Sequence, residues 1–156
     1  MKYFTYEWAM GGGDDDQVVE RYREFIGSLD SSNTVQEFAL SVSLNDAYVD
    51  RFTYDRVGKE LTLRLLTGDR QSGYFWTEIY YAGATIDGED VLTKAITNRP
   101  AEIWYDEFDL SDGCLSHGYL LVPDSYEQSR SREFRISFAG FHFEQSPAPG
   151  RILPTL

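Results

Sequence analysis

Cys114 and His117 are the first residues to weigh for chemistry, a thiol three positions before an imidazole. An imidazole beside a thiol is the usual way to make a cysteine nucleophilic. Both lie in a run, Cys114 to Val122, that reads as a strand, where residues three apart point to opposite faces. The pair is therefore expected not to meet, and His117 and His142 read as ordinary strand positions. Asp46, Asp50 and Asp55 offer carboxylates for a divalent cation, but neither a histidine nor a calcium-loop pattern accompanies them. Asp46 reads better as a local cap or turn acceptor. Gly11-Gly12-Gly13 lacks the lysine of a phosphate loop and runs into three aspartates that repel phosphate. No cofactor or metal is expected.

Glu102, Asp106, Glu107, Asp109 and Asp112 form the densest acidic cluster, with no basic residue among them. Trp104, Tyr105 and Phe108 interleave. Strict alternation would put Glu102, Trp104, Asp106 and Phe108 on one face of a strand, and Ile103, Tyr105, Glu107 and Asp109 on the other. Such a strand suits docking to a basic protein, with aromatic anchors and steering acids, through Trp104, Asp106, Glu107 and Asp109. The competing reading is a solvated edge whose charges prevent strand-to-strand aggregation. Paired carboxylates also serve glycoside hydrolysis, yet the separation that chemistry needs is not a property of sequence.

Formal net charge is −12 over 156 residues. Nucleic acid and anionic membrane would be repelled, so the partner class expected is a basic protein. One cysteine excludes an internal disulfide and any Cys-x-x-Cys metal pattern. No stretch reads as a signal peptide or membrane span, which leads to the expectation of a cytoplasmic protein.

The elements that must position these residues are legible from periodicity. Residues 2–9 alternate roughly and suggest a short strand. Val18, Val19, Tyr22, Phe25, Ile26 and Leu29 mark one face of a helix, and Val35, Phe38, Ala39 and Val42 mark a second over 34–42. Three β-rich runs follow between Leu44 and Tyr81, with turns at Arg56–Lys59 and Gly68–Gln71 and a bulge expected near Arg51. Ala82–Thr85 is expected to leave the sheet, and a short helix follows Asp87. Further strands are expected over 101–109, 114–122 and 133–143, with a loop over 123–132. The fold class is α+β: a mostly antiparallel twisted sheet of about six strands, with N-terminal helices and one short helix between the strand groups. One domain is expected over 1–145, with a loosely ordered tail over 146–156.

Several segments carry a resemblance. Met1-Lys2-Tyr3-Phe4-Thr5, Ser43-Leu44-Asn45-Asp46-Ala47, Ala101 to Glu107 and Ser116-His117-Gly118-Tyr119-Leu120 resemble a family of small uncharacterised bacterial proteins, across most of 1–143. Members have Leu-His-Asp-Ala where this chain has Leu44-Asn45-Asp46-Ala47, so any role resting on an imidazole there is lost. The resemblance implies a domain of unknown function and transfers no catalytic residue. Composition is more loosely similar to bacterial toxin-immunity proteins. The function expected is a non-catalytic acidic binding protein, immunity-like or regulatory. The alternative is a small enzyme or ligand-binding domain with a polar pocket near Asp46, His117 and Tyr119.

Overall fold

The computed structural model describes residues 1–11, 15–30, 32–97, 101–123 and 132–148. The order is α1 (Tyr6–Ala9), α2 (Asp15–Ser28), α3 (Thr34–Ser41), β1 (Tyr48–Asp55), β2 (Glu60–Asp69), β3 (Gly73–Ala82), β4 (Thr85–Asp87), α4 (Glu89–Thr97), β5 (Ile103–Ser111), β6 (Cys114–Leu121), β7 (Glu133–Phe138) and β8 (Gly140–Pro147). The class is α+β, as expected. The single sheet of about six strands is corrected to two four-stranded antiparallel sheets, ordered β1-β2-β3-β8 and β4-β7-β6-β5.

Small residues cause the division. The β3–β8 ladder ends at Ala82 opposite Gly140, and pairing resumes in β4–β7 at Thr85 opposite Ser137. Between them Ala139 N–H donates to the Ala82 carbonyl at 2.9 Å. Gly83 has φ +64°, and a β-carbon there would lie 3.0 Å from that of Ala139. Two neighbouring chains can thus bend together from one sheet into the next. The run 133–143 is therefore two strands, and the segment expected to leave the sheet crosses into β4. At the opposite margin β1 meets the start of β5: Tyr48 bridges Glu102, and Ile103 N–H donates to the Ala47 carbonyl at 2.7 Å.

The core lies between these sheets. Leu61, Leu63 and Leu65 of β2 pair with Tyr81, Ile79 and Thr77 of β3 on its first wall. Ile103, Phe108, Tyr119, Leu121, Phe134 and Ile136 come from the other sheet. Helix α3, capped by the Asn33 side chain on Val35 N–H, inserts Phe38 between the two. The Phe38 ring meets Phe108, His117, Phe141 and Phe143 at centroid distances of 5.0–6.0 Å. Helix α2 adds Ile26, and α4 adds Leu92 and Ala95.

Two terminal expectations change. Residues 2–9 are not a strand: the chain bends at Tyr3 and Phe4, and Thr5 then caps the single helical turn α1 by accepting from Trp8 N–H. Strand β8 continues through Ser146 and Pro147, opposite Trp76 and Phe75, so the first residues assigned to a loose tail belong to a sheet. Residues 149–156 and most of the expected loop, 124–131, lie outside the described residues.

Because Phe38 fills the junction of both sheets, Phe38→Ala is expected to lower unfolding free energy by about 3–5 kcal/mol in urea titration. A loss below about 1 kcal/mol would show that the junction repacks without it.

Candidate functional site

Strand β5 carries two sites, one on each face, and a bulge decides which residue joins which. The register with β6 shifts at Trp104: Ile103 faces Leu121, but Tyr105 faces Leu120. Ile103, Asp106 and Phe108 therefore share the inner face with Leu121, Tyr119 and His117. Tyr105, Glu107 and Asp109 share the outer face with Leu120, Gly118 and Ser116. Strict alternation misassigns Ile103 and Trp104 because the extra residue resets the pleat.

On the outer face Glu107 is fully buried beneath the N-terminal segment. Its carboxylate accepts the backbone N–H groups of Lys2, Tyr3 and Phe4, the last two at 2.7 and 2.9 Å. The Arg135 guanidinium is 3.6 Å away. Three donors and a cation offset the cost of removing the charge from water. The Lys2 ammonium bonds Asp109 at 2.9 Å, which raises the Lys2 pKa, and the Met1 amine bonds Glu133 at 2.8 Å. Gly118 leaves room for this arrangement, since a β-carbon there would lie 2.9 Å from the Met1 sulfur. Glu107 and Asp109, expected on a partner surface, are thus covered and committed to the N-terminal segment.

On the inner face four side chains form one chain of hydrogen bonds. His117 Nε2 lies 2.8 Å from the Asp106 carboxylate. Its Nδ1 lies 2.8 Å from the Tyr81 hydroxyl and 2.9 Å from that of Tyr119, and the hydroxyls are 2.5 Å apart. A carboxylate only accepts, so Nε2 carries a proton; burial favours the neutral ring, in which Nδ1 accepts from one tyrosine, which accepts from the other. Every donor has an acceptor. Phe108 stacks on the imidazole at 3.9 Å. Burial lowers the His117 pKa against the opposing pull of Asp106, and burial raises both tyrosines well above their ordinary value.

The hydroxyl end of this relay is sealed, with Tyr81, His117 and Tyr119 at 0–1% exposure. Only Asp106 reaches the surface, where it lines an open pocket of about 370 Å³. Phe4, Tyr22 and Tyr105 line the pocket together with residues 39–45, the end of α3 and its following loop, and it is open to solvent. Among the described residues no basic side chain lines it. Burial, then the charge of Asp106, pushes the Tyr22 pKa far up. Trp104 and Tyr105 continue outward from the pocket as neighbouring rings, with Tyr6 on Trp104 and Trp8 on Tyr105.

His117 and Tyr119 of the alternative pocket do come together, two apart on one face of β6. Asp46 does not join them: it is exposed, in a turn at φ +62°. Asp50 instead lies 3.5 Å from Arg64. Cys114 is exposed while His117 is buried, so the thiol and imidazole are apart as alternation predicts. Tyr81 is the member of the network that sequence reasoning missed; a hydroxyl on the inward row of Thr77, Ile79 and Tyr81, with Leu61 and Phe141 opposite it, is the only signal it leaves. Among the described residues no three metal-ligating side chains cluster, and no helix is long and apolar enough to cross a membrane. Comparison of the chain with family models, curated proteins and solved structures finds no match.

Replacing Glu107 by Gln puts an amide where three N–H groups need acceptors. A loss of about 1–3 kcal/mol is expected, with faster hydrogen exchange at Lys2–Phe4; unchanged exchange would mean the segment is held by other contacts. Because folded His117 takes its proton below the ordinary 6.5, the unfolded chain binds more protons as pH falls through that value. Stability should therefore drop from pH 7.5 to 5.5, by at most about 1.4 kcal/mol per pH unit from this group. His117→Gln should flatten that interval in urea titrations, and an unchanged slope would assign it to other groups.

Proposed function

We propose that this chain is a non-catalytic binding protein that engages a basic protein partner through the surface around Asp106 and Trp104. The observation that carries the reading is the polarity of the buried relay. In a catalytic relay the hydroxyl faces the substrate and the carboxylate lies behind. Here the tyrosine hydroxyls are sealed and the carboxylate faces outward. What the surface offers is charge, not a nucleophile.

Two further features support it. The net charge of −12 would steer a basic partner toward the chain and repel nucleic acid. The half-buried rings of Trp104 and Tyr105 next to Asp106 have the composition of an interface anchor beside a charge. Glu107 and Asp109 enter differently from a surface strand: they hold the N-terminal segment in place and leave Asp106 as the acid that meets the partner.

The test is capture from lysate at low and high salt, with wild type, Trp104→Ala and Asp106→Asn, each checked for folding by thermal melting. One basic protein held by wild type at low salt, released at high salt and lost in both variants is the expected result. Capture that is indifferent to salt and to both substitutions would contradict the reading.

A further inference from the structure

The pocket over Asp106 has a second source of negative potential besides the carboxylate. Helix α3 ends there: Val42 N–H closes its last turn on the Phe38 carbonyl at 2.8 Å. Among the described residues no donor reaches the carbonyls of Ala39, Leu40 or Ser41, and the last turn carries no basic side chain. The C-terminal turn of α3, the negative end of a helix, thus lines the same pocket as a carboxylate. The carboxylate is not neutralised from behind, because its partner His117 is an uncharged donor. The remaining wall is aromatic, from Phe4, Tyr22 and Tyr105.

We propose that this cavity is a socket for one arginine side chain of the basic protein partner. The inference rests on the reading of the chain as a binder of such a protein. A guanidinium presents a flat face that stacks on rings while its N–H groups, held in one plane, reach a carboxylate and carbonyls at once. An ammonium is a compact, strongly hydrated charge that gains less from aromatic walls. The chain itself uses the first arrangement elsewhere: the Arg64 guanidinium lies 4.0 Å from the centre of the Trp76 ring, between the carboxylates of Asp50 and Glu78. At about 370 Å³ the cavity is within the size range of ligand sites.

The experiment is an NMR titration of the whole chain with acetyl-Gly-Arg-Gly-amide and with the same peptide carrying citrulline, which keeps the shape and removes the charge. The arginine peptide is expected to shift amides of residues 40–45 and of Tyr105 and Asp106. Citrulline is expected to weaken binding about tenfold or more, and Asp106→Asn to weaken the arginine peptide similarly while still accepting from His117. Asn45→Arg, on the exposed rim, is expected to fill the cavity and abolish binding, which keeps the test open if Asp106→Asn folds poorly. Equal affinity for the two peptides, shifts confined to another surface, or no binding would each overturn the socket. A chain that captures a basic protein yet ignores the peptide overturns the socket and leaves the broader reading standing. A chain that binds the arginine peptide in this cavity but captures no basic protein supports the socket and overturns the broader reading.

Discussion

A charged carboxylate with no access to water, that of Glu107, is the constraint on which the arrangement depends. An unpaired charge there would be prohibitive, so the outer face of β5, β6 and β7 is built to satisfy it. Arg135 approaches from β7, Gly118 of β6 stays small, and the first residues of the chain lie across the sheet with three N–H groups aimed at one side chain. That segment delivers Phe4, which in turn meets Tyr22 of α2 and Tyr105 of β5 at ring distances of 5.0 and 5.9 Å. Tyr22 caps β5, an edge strand of its sheet, by accepting from Phe108 N–H at 3.0 Å. The walls of the Asp106 pocket are therefore a consequence of how its sequence neighbour is buried.

Asp106 and Glu107 are adjacent acids with opposite assignments, and the pleat is what separates them. Glu107 is consumed by structure. Asp106 is oriented by a neutral imidazole, whose own position is fixed by two tyrosines and by Phe108 stacked at 3.9 Å. A hydrogen-bonded network with every group satisfied is rigid, and a rigid acceptor lining an aromatic pocket loses less conformational freedom when a cation binds. This links the buried relay to the surface without asking it to transfer a proton.

The helices and most strands were legible because their signals are local. Ile26 and Phe38 are buried where helical spacing puts them, Asn33 caps α3, and the bulge in β1 falls between Val49 and Arg51. The turn at Asp112 and Gly113, with φ of +52° and +75°, also follows from residue type. What sequence did not reveal depends on contacts between distant segments. The sheet divides at Gly83 because Ala139, more than fifty positions later, passes close beside it. Glu107 reads as a surface acid until the N-terminal segment, a hundred positions earlier, is laid over it. Trp104 conceals a bulge that only the pairing partner exposes, and that one residue moves Ile103 to the face of Asp106 and Phe108. The proximity of His117 and Tyr119 was readable from their spacing of two; the contribution of Tyr81 from the other sheet was not.

The central claim is that a neutral His117, protonated on Nε2, leaves the Asp106 charge uncompensated in the pocket lining. Nitrogen-15 NMR of the histidine ring at pH 7 tests it most directly. The expected result is an Nε2 signal of the protonated type, coupled to its hydrogen, with Nδ1 unprotonated and accepting from a tyrosine. A ring protonated on both nitrogens would make Asp106 and His117 a neutral pair, and a ring protonated only on Nδ1 would leave Asp106 without its donor; either result contradicts the account.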